Sequence, residues 1–199
     1  LLRGRAAEAR LEGEGEPDFV VVNAGASGFY RVAWDEAGLA ALARSLPALE
    51  TAERIALLSD EWALVRAGAR EIGPFLSLVA GFGGEEDYAV LDEVVGRLAV
   101  VEHRLVADAD RTRLQRFVAG LFQPLLVRTG WDAAPAEADA VRLRRAAAAR
   151  ALALVARDAG AAAELRLRLD RRLRGERDAL EPNLHDLAVA AAPRAGDGA

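Results

Sequence analysis

The hydrophobic pattern of this chain changes period at Phe29-Tyr30-Arg31-Val32-Ala33-Trp34-Asp35. Within that stretch aromatic and small apolar residues alternate, which is typical of a β-strand. Directly after it, Leu39, Leu42 and Leu46 recur at intervals of three and four residues, the spacing of one helical face. We therefore predict that β structure ends at Asp35 and that helices follow.

Two further strands are predicted upstream of this boundary, at Ala9–Glu12 and Phe19–Asn23. The connection AGASG, residues 24–28, carries two glycines, which suit the tight loop of a β-hairpin. A phosphate-binding loop needs a helix directly after the glycines, and a nucleophile elbow needs Gly-x-Ser-x-Gly between a strand and a helix. Because a strand is predicted next, we interpret the segment as a hairpin turn and assign no catalytic role to Ser27.

Helical spacing continues through the rest of the chain and predicts about eight helices joined by short loops. Thr51 is predicted to cap the second helix and Gly68 to end it. Pro74 and Pro182 suit the first turns of later helices. Antiparallel helix pairs at an uneven spacing of roughly 30–45 residues favour an α-solenoid-like array over a closed bundle. The predicted fold is mainly α, with a short antiparallel β segment before the helices.

The composition favours a globular chain and excludes several kinds of site. The 199 residues are 52% hydrophobic, and no apolar run approaches the roughly 18 residues of a membrane span, so we expect no membrane partner. The absence of cysteine excludes disulfides and thiolate chemistry. All 26 basic residues are arginine, a bias typical of a GC-rich bacterial genome. Since neither Met nor a leader begins the sequence, we expect part of a longer, cytoplasmic polypeptide.

The sequence gives no sign of a metal site. His103 and His185 are its two histidines, and no second histidine stands four residues from His103, as a zinc-binding helix needs. The acidic run Glu85–Asp87 lacks the glycine and the alternating oxygen ligands of a calcium loop, whereas acids at a helix start are explained by the helix dipole. We expect no metal, no cofactor and no catalytic residue within this chain.

One stretch of the chain is strongly basic. Between Arg142 and Arg177, eleven arginines stand against four acidic residues, a local excess of 11 − 4 = 7 positive charges. Such a helical face suits a nucleic acid or a peptide carboxylate, or is simply solvated. No aromatic residues alternate with these arginines, and the whole chain carries a net charge of −5. We therefore expect no nucleic acid partner.

Two stretches resemble sequences of the large zinc aminopeptidases, the relatives of aminopeptidase N and puromycin-sensitive aminopeptidase among the gluzincin metallopeptidases. Residues 21–35, VVNAGASGFYRVAWD, are similar to that family's Asn-x-x-x-x-Gly-Tyr/Phe-Tyr-Arg-Val-x-Tyr-Asp motif. Residues 53–68, ERIALLSDEWALVRAG, are similar to its Arg-x-x-Leu-Leu-x-Asp-x-Phe-x-Leu-x-x-x-Gly helix. Weaker matches follow in family order at Tyr88–Leu91, Gly130-Trp131, Leu143-Arg144 and Glu181–Leu184.

The resemblance implies a place within a larger enzyme. In the family, the first motif closes a small β-sandwich domain and leads into a helical C-terminal domain. Residues 1–35 are therefore expected to be the last strands of that sandwich, and residues 36–199 an incomplete helical domain. The zinc-binding His-Glu-x-x-His motif and the Gly-x-Met-Glu-Asn motif belong to an upstream catalytic domain and do not occur in this sequence. The resemblance thus assigns zinc to the parent protein and makes its catalytic domain the partner of this chain.

The function implied by the resemblance is non-catalytic. A helical arc would cover the catalytic cleft of an enzyme that removes N-terminal residues from peptides, and would limit access to it. We predict that Arg104 and Arg128, which lie near helix ends, bind the peptide substrate, because an arginine suits a carboxylate; ordinary solvated arginines are the alternative. A different class of function is also open, an α-solenoid that binds a protein partner and has no peptidase parent.

Hydrogen bonds at the junction between the β segment and the helices explain the polar members of the two motifs at least as well as contact with substrate does, so we predict a structural role. In particular, we predict that Arg31 and Asp60 fix this junction. The full set of motif residues with a predicted structural role is Asn23, Gly28, Tyr30, Arg31, Arg54 and Asp60.

Overall fold

The computed structural model of the chain describes residues 17–192. This range contains eight α-helices, which agrees with the predicted number and with the predicted, mainly helical fold class. They are α1 (Glu36–Arg44), α2 (Thr51–Arg66), α3 (Ile72–Ala80), α4 (Tyr88–Val100), α5 (Asp108–Thr129), α6 (Asp139–Arg150), α7 (Ala159–Leu173) and α8 (His185–Ala191).

Short capping side chains set the starts of several helices. Asp35, Asp87 and Asp158 precede α1, α4 and α7, and each accepts a hydrogen bond from a backbone N–H of the first helical turn. These bonds satisfy donors that have no partner inside the helix. The change from extended to helical chain at Asp35, predicted from the sequence, therefore has a local chemical cause.

The boundaries of α2 confirm one prediction and correct another. Gly68, with a φ of 68°, follows the end of the helix as predicted. Thr51 is not the N-cap: the cap is Glu50, which forms a reciprocal capping box with Glu53. The Thr51 hydroxyl donates instead to Asp87 Oδ2, at 2.8 Å. Ser and Thr are the usual first members of a capping box, so the residue types at positions 50 and 53 do not by themselves predict one.

Two helices of the array end in a π-helical turn. α4 continues into such a turn at Val101–Leu105, and α6 continues into one at Ala151–Val155. Each turn closes with a backbone bond that reaches back five residues, from Val106 to Val101 and from Ala156 to Ala151. Helical structure therefore runs without a break over residues 88–105, as α4 and its π-helical turn.

The helices pack as an extended array of two rows. Helices adjacent in sequence contact each other in the pairs α2 with α3, α5 with α6, and α7 with α8. Alternate helices also contact each other, α1 with α3, α2 with α4 and α4 with α6. Contacts between alternate helices place α2, α4 and α6 side by side in one row, which is the arrangement of stacked helical repeats.

The core runs continuously through this array, and α4 lies at its centre. Five side chains of α4 are at most 2% exposed: Val90, Leu91, Val94, Val95 and Leu98. Each buried side chain of this size contributes about 1.5–3 kcal/mol by leaving water. In α6 the buried apolar positions are instead small, Ala147, Ala148 and Ala149, which leaves room for neighbouring helices.

The strands predicted at Phe19–Asn23 and Phe29–Trp34 do not form in the described part of the chain. A strand needs a neighbouring strand to bind its backbone polar groups, and here side chains of the helical region bind them instead. The Val32 N–H donates to Asp60, for example. The third predicted strand, Ala9–Glu12, lies outside the described residues. The predicted β segment is therefore not confirmed, and the domain boundary at residue 35 stays a prediction.

In the described range, even the most apolar helix is too short or too polar to cross a lipid bilayer.

Candidate functional site

The residues from Asn23 to Gly28 form a closed loop against the start of α2. The Asn23 side chain spans the loop: its Oδ1 accepts from the Gly28 N–H (2.7 Å), and its Nδ2 donates to the Gly28 carbonyl (3.1 Å). Gly25 has a φ of 64°, and its N–H donates to Glu53 Oε1 at 2.8 Å. This bond and one from the Glu50 N–H lower the pKa of the Glu53 carboxyl. The predicted hairpin turn is thus a loop docked on α2.

Gly28 lets the Tyr30 ring lie against the loop. A Cβ atom at position 28 would be 2.2 Å from Tyr30 Cε1 and 2.8 Å from Asn23 Oδ1, which is closer than non-bonded atoms pack. The Tyr30 hydroxyl donates to the Val22 carbonyl at 3.1 Å, which holds the ring in this place. Glycine at position 28 is therefore required by close packing.

Arg31 and Asp60 connect this segment to the middle of α2. Arg31 Nη1 donates to Asp60 Oδ1 (3.0 Å) and to Ser59 Oγ (2.8 Å), and Asp60 Oδ2 accepts from the Val32 N–H (3.1 Å). The Asp60 side chain is 7% exposed, whereas that of Arg31 is 61% exposed. The contact is the one expected if this pair fixes the junction. That role stays a prediction, which substitution of Arg31 tests.

A second ion pair holds the same segment one residue further along α2. Arg70 Nε lies 2.7 Å from Glu61 Oε2, in a direction unfavourable for a hydrogen bond, and Arg70 Nη2 donates to the Trp34 carbonyl at 2.5 Å. Glu61 is fully buried. Burial raises the pKa of the Glu61 carboxyl, Arg70 opposes this rise, and the neighbouring Asp60 adds to it. Asp60 therefore holds the start of residues 31–34 directly, and the adjacent Glu61 holds their end through Arg70.

Arg54, the other arginine of the second motif, makes different contacts. Its Nη1 donates to the Leu49 carbonyl at 2.6 Å, and its Nε lies 2.9 Å from Glu85 Oε2. These contacts join α2 to the loop before α4 and not to residues 23–35. The structural role predicted for Arg54 at the junction therefore has no supporting contact in the described part of the chain.

Apolar side chains of the junction segment face outward. Phe29 is fully exposed, and Tyr30 and Val22 are about half exposed. Beside them lies a groove of 560 Å³, whose wall on α2 includes Ile55. We call Val22, Phe29, Tyr30 and Ile55 the junction surface. Exposed aromatic and aliphatic side chains grouped in this way are typical of a contact surface.

The second polar centre is Arg145 of α6, which is fully buried. All five N–H groups of its guanidinium are used. They bind both Glu137 oxygens (2.6 and 2.9 Å), Glu181 Oε2 (2.7 Å), and the carbonyls of Thr129 (2.9 Å) and Gly130 (3.0 Å). The paired guanidinium lowers the pKa of the Glu137 carboxyl. Arg145 thus joins the end of α5 to α6 and to the segment before α8.

A cleft of 440 Å³ opens beside this buried centre. Trp131 lines one wall, with the Arg168 guanidinium 5.8 Å from its ring centroid. Arg168 binds both oxygens of Asp132 (2.5 and 3.1 Å) and so lowers the pKa of that carboxyl. The cleft also contains His185, whose Nε2 lies 3.2 Å from the Leu180 carbonyl. We call it the arginine cleft, after Arg142, Arg168, Arg172 and Arg177 in its lining.

The fold neutralises much of the basic stretch with distant carboxylates. Glu86, Asp92 and Glu102, all far upstream in sequence, pair with arginines of residues 142–177. Six of the eleven arginines lie within 3.7 Å of a carboxylate oxygen: Arg144, Arg145, Arg150, Arg157, Arg168 and Arg171. The local excess of charge in the sequence is therefore much larger than the excess in the folded protein.

The two arginines predicted to bind substrate lie apart from both centres. Arg104 is in the π-helical turn after α4, Arg128 is in the last turn of α5, and both are exposed. Neither belongs to the lining of the arginine cleft or of the groove at the junction surface. Their role in peptide binding stays a prediction.

Within residues 17–192, no three His, Asp or Glu side chains lie close enough together to hold a metal ion. These residues do not fit the zinc that the resemblance assigns to the parent protein, and no chemical step through zinc follows from them.

The sequence did not indicate Arg145, Glu61 or Arg70, although these side chains form the buried ion pairs. Charged residues at helical positions are usually solvated, so their type carries no sign of burial. One weak signal was present: Glu181, a partner of Arg145, opens the quoted Glu181–Leu184 match.

A model of the ERAP1-like C-terminal domain family matches residues 19–199 of this chain. The match contains the closed loop, the junction surface, both ion pairs of α2 and the arginine cleft. It covers far more than half of the chain.

Curated relatives with similar sequences come from plants, animals and archaea. Aminopeptidase M1-A of Oryza sativa subsp. japonica is 32% identical over 73% of this chain and 18% of its own length. Puromycin-sensitive aminopeptidase of Caenorhabditis elegans is 29% identical over 59% of this chain and 13% of its own length. Tricorn protease-interacting factor F2 of Thermoplasma acidophilum is 29% identical over 48% of this chain and 12% of its own length. The chain thus spans less than a fifth of these relatives.

Proposed function

This chain belongs to the ERAP1-like C-terminal domain family, and on that premise we propose that it is the non-catalytic helical part of a zinc-dependent aminopeptidase. The observation that carries the proposal is the family match over residues 19–199, together with relatives that are named aminopeptidases and contain this region as a minor part of their length. The catalytic groups and the zinc would belong to the rest of the parent protein, which would remove N-terminal residues from peptides.

The junction surface is proposed to contact the upstream catalytic part of the same polypeptide. Phe29 projects fully into solvent from a loop that two ion pairs and the Asn23 side chain hold firmly on α2. A rigidly held, exposed aromatic side chain loses little conformational freedom when it is buried by a partner, so it suits an interface. The helical rows would then extend from this contact over the catalytic cleft and limit access to it.

Peptide substrate would meet the exposed side chains of this covering domain. Arg104 and Arg128 are proposed to attract the carboxylate at the distal end of a peptide, as expected from their exposure and their charge. The parent protein is proposed to be bacterial, as expected from the residue usage, and cytoplasmic.

The first test is the coding sequence upstream of Leu1. We expect it to encode His-Glu-x-x-His some hundreds of residues earlier, and helical repeats without that motif would favour the alternative of a protein-binding solenoid. The purified 199-residue chain should have no aminopeptidase activity. Activity that a chelator abolishes would contradict the proposal.

The second test places Phe29→Ser in the full-length parent enzyme. If the junction surface contacts the catalytic part, the variant should lower the melting temperature of the whole enzyme and reduce kcat/KM for peptides. Leu173→Ser is the matched control, because Leu173 is a 76% exposed apolar side chain far along the array. Equal behaviour of the two variants would remove the argument for an interface at Phe29.

The third test concerns the predicted substrate residues. Arg104→Ala and Arg128→Ala should each raise KM for a peptide with a free C-terminal carboxylate, and should leave KM for the C-terminally amidated peptide unchanged. Arg113→Ala, another exposed arginine of α5, is the control. A KM that rises equally for both peptides would exclude carboxylate recognition by these residues.

A further inference from the structure

The positive charge that remains after internal pairing is concentrated at the arginine cleft. Arg142 lies 3.9 Å from Glu137, 3.9 Å from Asp139 and 4.0 Å from Glu181, all beyond hydrogen-bond distance. Arg172 donates to the Arg177 carbonyl, and within residues 17–192 neither Arg172 nor Arg177 forms an ion pair. Arg168, by contrast, already binds Glu164 and both oxygens of Asp132. Three of the four cleft arginines therefore retain N–H groups that an added acceptor could bind.

Two buried polar atoms beside the cleft have no hydrogen-bond partner in the described part of the chain. They are Arg142 Nε and Glu181 Oε1, which lie 4.0 Å apart. The Glu181 side chain is only 7% exposed, and both residues belong to the lining of the cleft. Buried donors and acceptors in proteins are nearly always satisfied by protein, water or ligand. An oxygen of an anionic ligand could accept from Arg142 Nε, whereas Glu181 Oε1 is an acceptor that needs a donor, such as water or a protonated ligand oxygen.

The cleft has the size and the chemistry of a small-molecule site. Its 440 Å³ falls within the roughly 300–1,000 Å³ of ligand pockets, and it offers an indole wall at Trp131 with guanidinium groups around it. Guanidinium groups bind phosphate and carboxylate oxygens in pairs, with charge-assisted hydrogen bonds. Asp132 and Asp178 are the exposed acids of the lining. Arg168 binds Asp132, so the incompletely paired groups of the cleft carry net positive charge.

We propose that the arginine cleft binds a small polyvalent oxyanion, a ligand with at least two phosphate or carboxylate groups, through Arg142, Arg172 and Arg177. More than one anionic group is required because these guanidinium groups come from different elements, α6, α7 and the turn before α8. The site is separate from the junction surface and from Arg104 and Arg128. Its existence therefore does not depend on the proposed aminopeptidase function.

The test is calorimetric titration of the 199-residue chain with sodium pyrophosphate, and separately with sodium citrate, at low chloride. We expect saturable binding of one molecule per chain by at least one of the two, with quenching of Trp131 fluorescence that is absent in Trp131→Phe. Tighter binding of pyrophosphate identifies a phosphate ligand, and tighter binding of citrate identifies a polycarboxylate. Absence of saturable binding by both at millimolar concentration overturns the proposal.

Substitution of the exposed cleft arginines makes the test specific. Arg177→Gln and Arg172→Gln should each weaken binding about tenfold, the effect of losing one charge-assisted hydrogen bond. Arg166→Gln and Arg174→Gln are matched controls, because both residues are exposed arginines of the same stretch that lie outside the lining. Controls that weaken binding as much as the cleft variants would mean general charge attraction and would overturn the proposal. Arg177 has no internal ion pair in the described range, so its variant should keep the fold.

Discussion

The junction segment and the Arg145 centre use the same chemistry, an arginine that binds a carboxylate, in opposite surroundings. At the junction, Arg31 lies on the surface and is 61% exposed. At the other centre, Arg145 is fully buried and donates all five of its N–H groups. Each joins a loop to a helix, but one contact competes with water and the other does not.

This difference shows that the distance between the charged atoms does not by itself determine how much an ion pair stabilises the fold. An exposed pair contributes about 0–1 kcal/mol, because water and salt screen it and a long side chain must be ordered. Removal of one partner of a buried pair costs about 3–5 kcal/mol, because it leaves an uncompensated charge in the interior. The junction must therefore depend on further contacts, namely the Asn23 loop, the close fit at Gly28 and the buried Glu61–Arg70 pair.

The largest effect is expected from Arg145→Ala. The variant leaves the Glu137 and Glu181 carboxylates buried without their main donor, so we expect a loss of about 3–5 kcal/mol in the free energy of unfolding, measured with urea. The control is Arg144→Ala, which removes a neighbouring arginine whose partner, Glu86, is 68% exposed. A loss below 1 kcal/mol for Arg145→Ala would show that the two centres are energetically alike.

The next effect is expected from Gly28→Ala at the junction. The added Cβ atom would overlap the Tyr30 ring, and relief of such overpacking costs about 1–3 kcal/mol. The double variant with Tyr30→Ala should recover most of this loss, which assigns it to the ring. Gly84→Ala is the control, because a Cβ atom at position 84 meets open space. Failure of the double variant to recover stability would exclude the packing explanation.

A fall in pH should change the contributions of the two centres to the free energy of unfolding in opposite directions. Pairing lowers the pKa of Glu137 from its usual 4.5, so its stabilising contribution is present above pH 4.5 and is lost as the pH falls below that value. Burial raises the pKa of Glu61, so its contribution is fully present below pH 4.5 and is lost as the pH rises through the raised pKa.

Urea unfolding between pH 3 and pH 7 measures this contrast. Glu137→Gln should reduce the loss of stability that occurs as the pH falls below 4.5. Glu61→Gln should reduce the loss of stability that occurs as the pH rises towards 7. If both variants change the same side of the profile, the assigned environments of the two carboxyls are wrong.

The smallest effect is expected from Arg31→Ala. Because Arg31 is mostly exposed, we expect a small but measurable loss of up to about 1 kcal/mol, and Asp60→Ala should cost more because Asp60 also accepts from the Val32 N–H. The melting temperatures of both variants measure this. An unchanged melting temperature for Arg31→Ala would contradict the prediction that Arg31 helps to fix the junction.

Local pattern predicted the helices well. The Leu39 and Leu42 spacing lies within α1, and the predicted stop at Gly68 follows α2, whereas Leu46 lies beyond the end of α1 at Arg44. The same reasoning fails before Asp35, where alternating apolar residues predict strands that the described residues do not form. Alternation reports only that one face of a segment is apolar, whereas a strand also requires a neighbouring strand, and here side chains of α2 and of the loop after it take that place.

The sequence by itself determined where helices begin, which of their faces are apolar and which family the chain resembles, because these properties depend on neighbours within one or two turns. Only the tertiary structure decided which charges are neutral pairs and which remain available. Arg145 meets Glu181 across 36 residues, and Arg150 meets Asp92 across 58. Coulomb attraction and burial depend on distance in space, so a stretch with seven excess charges became a set of internal pairs and one cationic cleft.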